Sequence, residues 1–329
     1  ARDSRIEVIS ASGDAEANEL VNSAILQADA DYCCVLSEGN RLSFDAFYNL
    51  ISELQTSPDS DVLYMDDAYI DPKTGDVGHL TFKPDWSPEL LLSYNYIGEF
   101  SLIRKSEFGF AKVWELYFRL MELGATFKRV AHLGTIQTRN SGQVTEGITH
   151  HESSEQMKWA LEDHVSRQNL PAEVKKNTNG TFRLKWVRED APLVSIIIPN
   201  KNSLKLVRSL VDDLLHRTSY PNKEIVIVDN YSTDPAVHKF YREQTDAGNL
   251  RVVPFHENFN YSTACNRGAE AAQGSYLLFL NNDMEVLDPD WINELVGWAS
   301  RPGIGVVGAK LLFPDGSIQH CGVVLGLHY

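Results

Sequence analysis

Between Leu193 and Tyr329 the chain alternates continuous apolar runs with segments whose apolar residues recur every three to four positions. Leu193–Ile198, Glu224–Val228, Arg251–Val253 and Tyr276–Leu280 read as strands covered on both faces. Between them Val207, Leu210, Val211 and Leu214 fall at i, i+3, i+4 and i+7, which predicts an amphipathic helix over Leu204–Arg217. Asp234-Pro235 pairs an N-cap with proline at the first helical position, so a helix starts there and ends near Gly248. Ser262–Gln273 is a helix stopped by Gly274, and Asp288-Pro289 repeats the cap-plus-proline start for a helix through Trp298. Regular alternation of strand and helix predicts a doubly wound α/β layer.

Three of these strands stop abruptly at short polar side chains. The first runs into Pro199-Asn200-Lys201-Asn202, the second into Asp229-Asn230-Tyr231-Ser232-Thr233-Asp234, and the fourth into Asn281-Asn282-Asp283. The carboxyl ends of strands in an open parallel sheet are where ligands bind. Asp283 is the candidate ligand for Mg²⁺ or Mn²⁺ bridging a nucleotide diphosphate, since hard cations take oxygen donors and leave sites open for substrate phosphates. Asp229 can accept the N3–H of a uracil or thymine ring, while Asn200 and Asn202 can bond base or ribose. The bland alternative for each is a turn residue bonding its own backbone. Asp234 is expected to do that plainer job as a helix cap.

The chain also repeats itself. Asn22 falls on Asn266, Tyr32 on Tyr276 and Leu36 on Leu280 at one constant displacement. Ile6–Ile9 falls on Leu250–Val253, Val62 on Val306 and, with one residue inserted, Asp45 on Asp290. A duplicated module is the economical explanation. The two copies are incomplete in opposite senses, so residues 1–165 read as the back half of one module and 193–329 as the front half of the next. Residues 166–192 form the linker, with Asn177-Thr178-Asn179-Gly180 as a hairpin turn between Ala172–Lys176 and Thr181–Val187.

Composition narrows the function classes. With 329 residues, 43% hydrophobic and 23% charged, the chain is an ordinary globular protein with ample core. A net charge of −15 argues against a nucleic-acid partner, which needs a basic footprint. Cys33, Cys34, Cys265 and Cys321 form no C-x-x-C pair, consistent with a reducing compartment. No apolar run in this sequence is long enough for a transmembrane helix, and none of its segments reads as a signal peptide, so neither is expected within it. A start at Ala1 without Met and a stop at Tyr329 inside an apolar segment are expected of a piece of something longer.

Several motifs are decoys. Gly303-Ile-Gly305-Val-Val-Gly308 has dinucleotide-fingerprint spacing but follows a helix and precedes a strand, the reverse of the required order. His150-His151-Glu152 has no second ligand cluster at metal spacing, and Asn179-Gly-Thr181 would accept a glycan only in a secreted protein.

Val194–Asn202, Ile225–Asp234, Asn258–Gly268 and Gly274–Asp283 together resemble the family 2 glycosyltransferases with the A-type (GT-A), Rossmann-like nucleotide-diphospho-sugar fold. Phe82–Leu92, Tyr94–Gly98 and Trp114–Leu120 resemble the later part of the same family, in its tandem bacterial polysaccharide, rhamnan and O-antigen types. The resemblance implies metal-dependent, inverting transfer of a hexosyl or rhamnosyl group from a UDP- or dTDP-linked donor to a glycan or lipid-linked glycan acceptor. It implies donor contacts at Pro199, Asn200, Asn202, Asp229, Asn260 and Asn282, with the cation on Asp283. The expected location is the cytoplasm, with the inner membrane face reached through other proteins. The family's general base lies in a Glu-Asp-x-Asp-Leu stretch that would fall beyond Tyr329. In the first copy Lys112-Val113-Trp114-Glu115-Leu116 stands there instead, and Ser37-Glu38-Gly39-Asn40 replaces the metal motif, as in a degenerate scaffold. A non-catalytic nucleotide-binding or scaffold role is the alternative for the chain. A nucleotidylyltransferase is disfavoured because Asn200–Ser203 supplies no glycine-rich basic loop.

Overall fold

The computed structural model describes residues 21, 23–36, 40–71, 74–98, 100–105, 113–138 and 154–323. The stretches Ile6–Ile9, Glu38 and His150–Glu152 lie outside the described residues. The chain divides into two compact units, Trp186–Gly322 and Ala1–Lys185 with Val323–Tyr329. The fold is mixed α/β.

In the first unit the strands are β1 (Tyr32–Cys33), β2 (Asn40–Leu42), β3 (Val62–Ile70), β4 (Val77–Thr81), β5 (Ser101–Arg104) and β6 (Phe127–Thr138). They form one mixed sheet in the order β1-β5-β3-β6-β2, with β4 paired to β3. Only β3 and β6 run parallel. Helix α1 (Ala46–Thr56) packs Ala46 and Leu50 onto Leu63, Met65, Leu102 and Val130 of that sheet. Short α2 (Pro88–Leu91) starts on Ser87, whose hydroxyl accepts from the Leu90 N–H. Then come α3 (Val113–Glu122) and α4 (Ser154–Arg167).

Strands β7 (Ala172–Lys176) and β8 (Phe182–Trp186) form the expected hairpin. Its turn closes with the Asn177 N–H donating to Thr181 C=O at 2.8 Å, and Gly180 takes φ +85°, a left-handed conformation suited to glycine. Phe182 is buried 5.8 Å from the Trp114 ring, and its N–H donates to Ser93 C=O at 2.8 Å. The hairpin thus docks on the first unit.

The second unit contains β9 (Val194–Asn200), α5 (Leu204–His216), β10 (Lys223–Asp229), α6 (Pro235–Asp246), β11 (Arg251–Pro254), α7 (Tyr261–Ala271), β12 (Tyr276–Phe279), α8 (Trp291–Ala299) and the small pair β13 (Leu311–Leu312) and β14 (Ile318–His320). Its sheet is entirely parallel in the order β11-β10-β9-β12. Alternation sorts the strand side chains between two faces. Val194, Ile196, Ile198, Ile225 and Ile227 pack with α5, α6 and α8. Ile197, Val226 and Val228 pack with α7 through Ala264. Helices on both faces make this the doubly wound layer the alternation predicts.

One boundary is corrected. The helix placed at Asp288-Pro289 begins at Trp291, with Asp290 in the cap position. Asp288 instead accepts the Asp290 N–H at 2.9 Å, a local turn that spends the carboxylate before the helix starts.

Candidate functional site

In the second unit the connections through α5 and α6 run to one side of β9, whereas β12 lies on its other side and is reached through α7 on the opposite face. The direction of winding therefore reverses at β9, and such a point opens a crevice at the carboxyl ends of the strands. Asp229 and Asn200 sit directly opposite each other there, as the last register pair of β10 and β9. Pro199 is partly buried beside them, opposite Val228.

One hydrogen-bond chain joins the three strand ends. Asn282 Nδ2 donates to Asn200 Oδ1 at 2.6 Å. Asn200 Nδ2 donates to the Tyr241 hydroxyl oxygen at 2.7 Å and to Asn202 C=O at 2.9 Å. The Tyr241 hydroxyl in turn donates to Asp229 Oδ1 at 3.4 Å. Burial pushes the Tyr241 hydroxyl well above the ordinary tyrosine range, so it remains a donor. Asn200 is only 3% exposed, and its amide is spent on holding the rim together.

The loop after β10 is laced to the loop after β9. Asp229 accepts from the Ser232 hydroxyl and from the Ser232 N–H at 3.3 Å. The Asn202 N–H donates to Ser232 Oγ at 2.7 Å, and Asn202 Oδ1 accepts from Thr233 and Asp234 N–H at 2.8 and 3.0 Å. Asn202 and Tyr231 both take left-handed φ, +55° in each case. The Tyr231 ring lies 4.7 Å from that of His256 and its hydroxyl donates to His256 C=O at 3.0 Å.

Of the seven residues selected from sequence, Asn200, Asn202, Asp229 and Asn282 share this laced rim, with Pro199 beside it. Asp283 follows Asn282 and is exposed. Asn260 has a different job within the fold, because its Oδ1 caps α7 by accepting from Thr263 N–H at 3.0 Å. Asp234 caps α6 through Ala236 N–H at 2.8 Å, as expected. Tyr241 and Ser232 are the participants that strand-end reasoning missed. Tyr241 reads in sequence as one more apolar position of α6, beside Phe240.

Among the described residues no group of three or more His, Cys, Asp or Glu side chains converges as a metal site. Asp283 with the amide oxygens of its neighbours is a sparse, hard-oxygen donor set. That chemistry fits a cation arriving with diphosphate oxygens and water better than a resident ion. In the first unit Glu115 is buried and its Oε1 accepts from Arg119 Nε and Nη2 at 3.0 and 2.7 Å.

Residues 195–322 match the family described as Glycosyl transferase family 2. The chain is 34% identical over 340 residues to the O-antigen biosynthesis protein RfbC of Myxococcus xanthus, covering 99% of this chain and 26% of that protein. It is 32% identical over 347 residues to protein y4gI of Sinorhizobium fredii, covering 99% of this chain and 38% of that one. The chain thus spans well under half the length of these relatives. Among solved structures, the mannosyltransferase PcManGT of Pyrobaculum calidifontis, in complex with GDP-Man and Mn²⁺, is similar at 24% identity and a TM-score of 0.32, covering 35% of this chain and 34% of that one. Residues 195–322, which span the laced rim, are thus a glycosyltransferase family 2 region.

Proposed function

We propose that the rim of the second unit binds a UDP- or dTDP-linked sugar and serves its inverting transfer to a growing cell-surface polysaccharide. The observation that carries this reading is the hydrogen-bond chain from Asn282 through Asn200 and Tyr241 to Asp229, which holds three strand ends in one fixed crevice. Preset polar groups bind without the cost of ordering them at each encounter. Asp229, part of its acceptor capacity still open, takes the N3–H of the pyrimidine ring. The Asn202 and Ser232 loops frame the ribose, and Asn260 stands at the start of α7, where the helix N-terminus favours phosphate oxygens.

Asp283 would hold Mg²⁺ or Mn²⁺ beside the diphosphate, and a bound cation offsets charge developing on that leaving group. In the transfer the acceptor hydroxyl oxygen bonds to the anomeric carbon as the bond to the diphosphate breaks. A carboxylate takes the hydroxyl proton. No described residue is assigned that role. The first unit, where Glu115 is tied to Arg119, is read as a platform rather than a second catalytic centre. Among the described residues no helix is long and apolar enough to cross a membrane. The proposed setting is the cytoplasm, with lipid-linked acceptors reached through other proteins at the inner membrane face.

Isothermal titration with UDP and dTDP, with and without Mn²⁺, tests the reading. Asp283→Ala should abolish the Mn²⁺-dependent part of the affinity, and an unchanged affinity in Mn²⁺ would overturn the assignment. Asp229→Ala should weaken both pyrimidine nucleotides, whereas equal affinity of the unsubstituted chain for GDP and UDP would count against the base contact. Slow metal-dependent release of sugar from the donor separates an enzyme from a nucleotide-binding scaffold.

A further inference from the structure

Helix α1 carries two apolar stripes, and the first unit covers only one. Ala46 and Leu50 are fully buried on the sheet, and Leu54 packs partly against the same core. On the other side Phe47 is 49% exposed and Ile51 51%, flanked by Tyr48 at 75% and Phe44 fully in solvent. Within the helix Phe47, Tyr48 and Ile51, at i, i+1 and i+4, make a bare apolar face, with Phe44 in the turn just before it.

The internal repeat read from the sequence supplies a counterpart for this face. Its register lays α1 on α8, with Asp45 on Asp290, Phe47 on Ile292 and Ile51 on Val296. Both helices start on an aspartate in the same irregular cap conformation, φ −109°, ψ 3° and φ −92°, ψ 5°, and neither carboxylate makes a side-chain cap bond. In α8 the counterparts of Phe47 and Ile51 are buried: Ile292 is 0% and Val296 3% exposed, in one core with Val207, Leu210 and Leu214 of α5, whereas Tyr48 falls on half-buried Asn293. Conversely Leu295, the counterpart of fully buried Leu50, is only half-buried. Each helix displays one half of a two-sided contact.

We propose that the Phe47–Ile51 face of α1 is the seat of a further α/β layer of the kind formed by residues 193–250, carried on the same longer polypeptide. Its contacting element would be an amphipathic helix striped like α5. Helix α5 of a second copy of this chain does not supply one, because Val207, Leu210 and Leu214 are already at 0% exposure in their own unit. The relatives are long enough to carry such a layer, since this chain accounts for 26% and 38% of them. The inference rests on packing and is independent of sugar transfer.

The test compares this 329-residue chain with the longer polypeptide of its parent reading frame. Hydroxyl-radical footprinting of the unsubstituted proteins reads Phe47 and Tyr48 directly. Maleimide labelling of Phe47→Cys and, separately, Ile51→Cys gives a rate at each site by peptide mapping. Labelling should be fast in the 329-residue chain and slower by at least about tenfold in the longer one, as the face would then open only transiently. Equal rates in both would overturn the proposal. So would concentration-dependent protection in the 329-residue chain, which would mean a second copy covers the face, or an upstream frame encoding no strand-helix layer.

Discussion

Asn200 and Asp229 lie where apolar runs end, and that alone singles them out in the sequence. Tyr241 is spatially between them but twelve residues beyond Asp229, on the buried stripe of α6, and no spacing rule reaches it. Its hydroxyl takes the Asn200 amide and gives to Asp229. Tyr241→Phe therefore strands a buried amide hydrogen, at a cost of about 1–3 kcal/mol. Urea denaturation should show that loss, together with weaker UDP binding, whereas Phe240→Leu should lower stability and leave binding intact. In the sequence Asn202 reads as a ligand contact, whereas in the fold its Oδ1 holds the backbone of Thr233 and Asp234. The sequence identifies a polar residue at a strand end, but the loop packed opposite determines which of its atoms are already bonded.

At the scale of elements, periodicity located the four parallel strands and four helices of the second unit to within a few residues, but not the small pair β13 and β14. Local chemistry misled at α8, where Asp288 forms a turn of its own. Helix α7 approaches the sheet so closely that a Cβ at Gly268 would stand 2.4 Å from Ile197 Cγ2 and 2.9 Å from Val228 Cγ2. Gly268→Ala should cost about 1–3 kcal/mol by overpacking, despite alanine's better helix propensity; a rise in melting temperature would contradict it. In the first unit α3 and α4 meet at Glu122, which accepts from Arg167 Nη2 at 2.8 Å and lies 2.6 Å from His164 Nδ1. Burial by itself would raise the Glu122 carboxyl, but bonding from Arg167 and His164 outweighs it and holds the group below the usual range. A depressed carboxylate contributes stability above its unfolded pKa, near about 4.3, and loses it as pH falls through the folded value. Acid titration should release part of the first unit's stability below about pH 4. Glu122→Gln should flatten that acid limb while lowering stability at neutral pH.

At the scale of the whole molecule, the order of elements in the second unit is written in the sequence. The rim residues follow from that order, because a parallel strand must end at one edge of its sheet and the polar residue after it must lie there. The sequence by itself determined the doubly wound layer, the strand-end chemistry and the family resemblance that the match over residues 195–322 bears out. Only the tertiary structure decided that the β7–β8 hairpin docks through Phe182 on the first unit, that Tyr241 closes the rim, and that Phe47 and Ile51 stand bare while Ile292 and Val296 are buried. Periodicity marks an apolar stripe because that pattern depends on neighbours along one helix. Whether the stripe is covered depends on a surface brought to it from elsewhere, and no local spacing encodes that.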